Sequence, residues 1–114
     1  MTRDAWWASH EPDIRSFRHA RRILKRKPHV ALKEFEALAA RGSQMSMVVI
    51  AEALRRGLVY PRDIDKAKEW YGAAIHRGSV HGLHGLGMRY YQEKEYQRAR
   101  ELFDRGAKAG FSPS

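Results

Sequence analysis

Cysteine is absent from the 114 residues. That excludes a disulfide, a thiolate metal site and a cysteine nucleophile, and it fits a reducing compartment. No apolar stretch approaches the roughly 18 residues that a membrane span needs. The opening MTRDAWWASHEPD lacks the basic-then-apolar order of a secretory signal. Strand signals are missing as well, because no run of useful length alternates β-branched with polar residues. These absences read as a soluble, cytoplasmic, all-α protein. The hydrophobic share of 43% is near the globular norm and sufficient for one domain with a modest core.

Acids are scarce relative to bases: 13 Asp and Glu stand against 22 Lys and Arg, a net charge of +9. Residues 1–57 hold 12 bases against 6 acids, and residues 58–114 hold 10 against 7. The run from Arg15 to Lys27 has seven bases and no acid. Such charge favours anionic partners without bearing on the fold. On a helix, Ile14, Phe17, Ala20, Ile23 and Leu24 make one apolar stripe, while Arg15, Arg18, His19, Arg22, Lys25 and Arg26 cover much of the rest. This basic face could lie along phosphates or on an anionic membrane surface. It could equally meet an acidic protein or serve as a solvated face.

A repeat organises the remainder. Gly42, Gly78 and Gly110 are each preceded seven residues earlier by an aromatic, namely Phe35, Tyr71 and Phe103. Eleven residues before each glycine stands Ala31, Ala67 or Ala99. The unit spacings are 36 and 32 residues. Alanine and the aromatic, four apart, share a helix face; glycine fits the left-handed position that ends a helix. Ser43 and Ser79 follow two of the glycines, where each can cap the next helix. Eight residues past Gly42 and Gly78 stand Ile50 and Leu86, then small Ala51 and Gly87, then Leu54 and Tyr90. Apolar residues at three- and four-residue steps mean amphipathic helices, so each unit is two antiparallel helices joined by a short turn. Six helices are expected, near residues 12–26, 29–41, 44–56, 64–77, 80–92 and 96–109, with Asp63 capping the fourth.

Leu86-Gly87-x-x-Tyr90 followed by Ala99-x-x-x-Phe103 resembles the tetratricopeptide pattern, with Gly106 where that pattern usually has alanine. Gly57, Asp63, Lys66-Ala67, Trp70-Tyr71, Ala73-Ala74 and Gly78-Ser79 resemble the Sel1-like subfamily more closely. The likeness covers roughly residues 29–111. It implies a right-handed α-solenoid of about three helix-turn-helix repeats that acts as a scaffold for protein–protein contacts. The chain then divides into an N-terminal arm at 1–11, a degenerate repeat at 12–42, a Sel1-like repeat at 43–78, a further repeat at 79–110 and a tail at 111–114.

In such solenoids the first helix of each pair lines the concave face. The resemblance places His81, His84, Met88 and Tyr91 there from the third unit, and Met45, Val48, Glu52 and Arg55 from the second. The first contributes Ile14, Phe17, Arg21, Leu24 and Lys25. For Ile14, Phe17, Leu24, Met45 and Val48, core packing is the more ordinary role. The others form a mixed surface of aromatic, thioether and charged groups, suited to a peptide or helix of an acidic partner. Trp6 and Trp7 can cover the first helix pair or insert into a groove. The last helix, with Leu102 and Phe103 ahead of GFSPS, points either to a longer array or to self-association.

No catalytic constellation accompanies these features. The serines stand at helix starts or termini, where capping explains them. Gly82, Gly85 and Gly87 are read as close-packing positions, because no strand precedes them and no GK[ST] follows. His81-x-x-His84 has chelating spacing, but a metal would need a third ligand from another helix; groove or surface imidazoles are the simpler reading. The expectation is a non-enzymatic adaptor with neither cofactor nor metal, and the alternative is a polyanion-binding helical domain.

Overall fold

The computed structural model describes residues 11–109. Trp6, Trp7, Gly110 and the 111–114 tail lie outside the described residues, as does nearly all of the 1–11 arm. Within them the protein has six helices and no strand: α1 (Ile14–Ile23), α2 (Pro28–Ala40), α3 (Gln44–Arg56), α4 (Ile64–His76), α5 (Val80–Gln92) and α6 (Tyr96–Lys108). Five agree with the sequence expectation to within a residue or two. The first is shorter than the expected 12–26. Pro28 has no N–H and disfavours helical geometry at the residue before it. Lys27 accordingly sits at φ −134°, and its amide closes a turn on the Ile23 carbonyl at 2.7 Å. Lys25 and Arg26 therefore belong to that turn and not to the helix.

Short polar side chains start four of the helices. Asp13, Ser43, Asp63 and Ser79 each accept a hydrogen bond from the backbone amide three residues on, which satisfies one of the orphan donors of a helix start. The helix ends repeat too. After α2 the Ser43 amide reaches back to the Leu38 carbonyl, and after α4 the Ser79 amide reaches Ala74, both at 3.0 Å. That closure needs a left-handed residue just before the serine, and Gly42 (φ 98°) and Gly78 (φ 91°) supply it. After α5 the same closure, Glu95 amide to Tyr90 carbonyl at 2.9 Å, forces Lys94 to φ 65°.

Each helix packs against its successor in the chain, and α3 also touches α5. The molecule measures 38 × 37 × 24 Å, so its thin direction is about two helix diameters. The repeated alanines and aromatics lie at the centre. Ala31, Phe35, Ala67 and Tyr71 are fully buried, in one cluster with Phe17, Leu32, Met47, Ile50 and Leu54. Phe17 and Phe35 meet edge to face at 5.7 Å. Of the five groove candidates for which core packing was the ordinary expectation, Phe17 is buried, and Ile14, Leu24, Met45 and Val48 are half-buried against this cluster.

The glycines of α5 are packing positions. A Cβ on Gly85 would stand 2.3 Å from the Tyr71 ring, and one on Gly87 would stand 2.7 Å from the Phe103 ring. The Tyr71 ring of α4 and the Phe103 ring of α6 thus occupy the space that side chains at these two positions of α5 would need. Glycine costs about 1 kcal/mol of helix propensity per position relative to alanine. Here that loss is the condition for the close approach of α4 and α6 to α5.

Candidate functional site

The residues expected to line a groove fall on α3 and α5, two helices in contact, and on α1 and the turn after it. Arg21 and Lys25 are exposed. Met45, Glu52, Arg55, His81, His84 and Met88 are half-buried. Tyr91 is 54% exposed and stands edge to face with Tyr96 at 5.2 Å. The His84 ring lies 5.8 Å from Phe103. Among the described residues no group of three His, Asp or Glu side chains could hold a metal ion.

Glu52 and Arg55 are tied together and to the core. The Tyr71 hydroxyl donates to Glu52 Oε1, while Arg55 donates to Glu52 Oε2, through Nε at 3.0 Å and through a terminal nitrogen. Burial, and then the Glu52 carboxylate, push the Tyr71 phenol well above its ordinary range. The hydrogen bond to Glu52 holds the Arg55 guanidinium charged. This triad joins α3 to α4.

The basic face is laid out in solvent. Arg15, Arg18, Arg22 and Arg26 are all exposed, as are Arg21 and Lys25 beside them. Among the described residues none of these six has a carboxylate within 4.0 Å. Among the described residues His19 is the one basic side chain of this helix with an acid in range, Glu34 at 4.0 Å.

A second constellation escaped the sequence reading. Between the α3–α4 loop, the start of α4 and the end of α5 lies a cleft of about 410 Å³, bordered by Arg62, Asp65, Lys68, Arg89, Gln92 and Glu93. Lys68 is bidentate on Glu93, with both distances 2.9 Å, and lies 3.9 Å from Asp65. The Glu93 hydrogen bond raises the Lys68 ammonium above its ordinary range. Arg62 donates from Nε to the Arg55 carbonyl at 3.1 Å, closing the end of α3. Arg89 differs from both. Its Nε is buried and has no hydrogen-bond partner; burial, and then the neighbouring Arg55 charge, lower it from the ordinary arginine range.

One signal of Arg89 was present in the sequence. The 36-residue offset that pairs Ile50 with Leu86 also pairs Ala53 with Arg89, so a cation stands where the preceding unit has a buried alanine. No family model matches the chain, and no curated protein or solved structure does so either.

Proposed function

We propose that this chain is a non-catalytic interaction module of the cytoplasm, a right-handed α-solenoid of three Sel1-like, tetratricopeptide-like helix pairs. It binds an acidic peptide or helix of a partner protein along the face lined by the first helix of each pair. The observation that carries this reading is the contact between α3 and α5. Helices two apart in the chain adjoin when helix pairs stack, and stacking of pairs is how solenoids build an extended binding surface. Along that surface the half-buried Met88, His81 and His84 and the exposed Tyr91 give adaptable and aromatic contacts.

The test uses an array of acidic and neutral peptides. Tyr91→Ala and His84→Ala should each lose the acidic peptides that the wild type retains, with helicity by circular dichroism unchanged. Unchanged binding in both variants would remove the groove assignment.

A polyanion-binding reading is favoured by one observation, the six exposed cations of α1 and its following turn, none of which has a carboxylate partner among the described residues. Anisotropy of labelled DNA and RNA oligonucleotides at about 50 and 200 mM salt separates the two readings. Tight binding that collapses at the higher salt supports the polyanion role. No binding at either salt leaves the charge for an acidic protein.

A further inference from the structure

Arg89 is expensive to keep where it is. The side chain is half-buried, and its Nε, cut off from water, has no hydrogen-bond partner among the described residues, so this part of the guanidinium loses water without an acceptor to offset the loss. Its neighbours have theirs: Arg55 is on Glu52 and Lys68 is on Glu93. Among the described residues Arg89 has no acidic partner within 4.0 Å, and neither does Arg62 across the same cleft. Arg55 and, more weakly, Arg62 repel its charge, and the attraction of Glu52 and Tyr71 does not offset burial and that repulsion. A fold that merely needed filling here had an alternative, since the equivalent position of the preceding unit is Ala53, 3% exposed.

The cleft has a definite charge and size. Arg62, Lys68 and Arg89 face Asp65 and Glu93, which leaves one positive charge in excess. One carboxylate neutralises it, whereas a nucleoside triphosphate would overload it. A volume of about 410 Å³ lies near the lower end of small-molecule sites, enough for one acidic group with its waters. Arginine's planar fork matches the two oxygens of such a group.

We propose that this cleft is an anion site for a single carboxylate group, held by Arg89 and Arg62. Peptides carry that group in two places, on acidic side chains and at the free C-terminus. The proposal deepens the acidic-partner reading and rests on it for the origin of the carboxylate; the site itself is tested without any partner.

The first measurement follows the side-chain Nε–H resonances of Arg62 and Arg89 by nitrogen-15 NMR, in sodium acetate against sodium chloride at matched ionic strength. Saturable shifts of both in acetate and none in chloride are expected; identical behaviour in the two salts overturns the site. The second measures binding of two labelled peptides, an amidated (Gly-Glu)4 and a (Gly-Gln)4 with a free C-terminus. Arg89→Gln should weaken whichever peptide binds by at least about tenfold, which is what the lower end of a hydrogen bond to a charged group contributes. An Arg18→Gln/Arg22→Gln control should stay within about twofold. The peptide that binds identifies the source of the carboxylate. If the control loses the Glu peptide and Arg89→Gln does not, the site falls while the acidic-partner reading stands. If acetate shifts both arginines and only the C-terminal peptide binds, the site stands and the acidic-partner reading falls. Arg89→Gln should also raise the thermal midpoint, because it removes a repelled, desolvated charge. A lowered midpoint with peptide binding intact would make Arg89 a structural residue and end the proposal.

Discussion

Helices α3 and α5 each open a helix pair, start on a serine cap and lie 36 residues apart in register, yet they reach their packing by opposite means. Helix α3 buries bulk: Met47, Ile50, Ala51, Ala53 and Leu54. Helix α5 buries mainly glycine, at Gly82, Gly85 and Gly87, together with Leu83. In α3 the helix supplies the side chains that fill the core. In α5 the neighbours supply them, Tyr71 from α4 and Phe103 from α6. A helix of the first kind tolerates a small displacement of its neighbours; one of the second kind depends on them for both order and burial. The cation Arg89 therefore stands on a helix that buries less apolar bulk of its own than α3 does.

The comparison breaks most visibly at the aromatics. Phe35 is fully buried, and Phe35→Ala should cost about 3–5 kcal/mol in urea denaturation. Its counterpart Phe103 is half-buried, so Phe103→Ala should cost less than half as much. Equal losses would mean that the third unit is as deeply packed as the first.

At the glycines the expected effects are smaller and opposite in sign. Gly85→Ala should destabilise by about 1–3 kcal/mol despite its better helix propensity. The Tyr71 ring cannot back away while its hydroxyl is held by Glu52. Gly72 on α4 has nothing within 4 Å of a built Cβ, and Gly72→Ala should stabilise by about 0.5–1 kcal/mol. If both variants shift the same way, propensity rather than close approach governs α5.

The caps sharpen the contrast further and bring in pH. Ser79 caps α5 alone, whereas the Ser43 hydroxyl also donates to Glu11 at 2.8 Å. Glu11 is 8% exposed, and burial raises its carboxyl above the ordinary value of 4.5 against the lowering effect of the Ser43 bond. A raised folded value means that protonation favours the fold: the contribution is whole below the ordinary value and is lost as pH rises through the raised one. Glu11→Gln should therefore gain on the wild type between about pH 4 and pH 7 in denaturant titrations. A constant difference across that range would show that Glu11 is as well solvated folded as unfolded.

Much of this architecture was legible in the residues. The Ala-aromatic spacing falls within α2, α4 and α6, and the serines after Gly42 and Gly78 located caps that form as expected. The early end of α1 was legible in principle, because Pro28 constrains Lys27, but the basic run of Arg15–Lys27 has helical periodicity that masks the break. The functional surface was less legible. Glu52 was read as a groove residue by register, and the structure ties it to Tyr71 and Arg55. Arg89 lies one position from Met88, about 100° around the helix, so the register that turns Met88 to the groove carries Arg89 to a different face.

By itself the sequence determined the all-helical class, the starts and stops of the five helices after α1 and the faces that carry small and aromatic residues. Capping, proline geometry and the 3.6-residue period act within a few neighbouring positions. Only the tertiary structure decided which charges lost water and which found partners. Lys68 reached Glu93 and Ser43 reached Glu11 across 25 and 32 residues, whereas Arg89 reached no carboxylate among the described residues. A side chain's desolvation depends on the helices that cover it, and those helices come from distant parts of the chain.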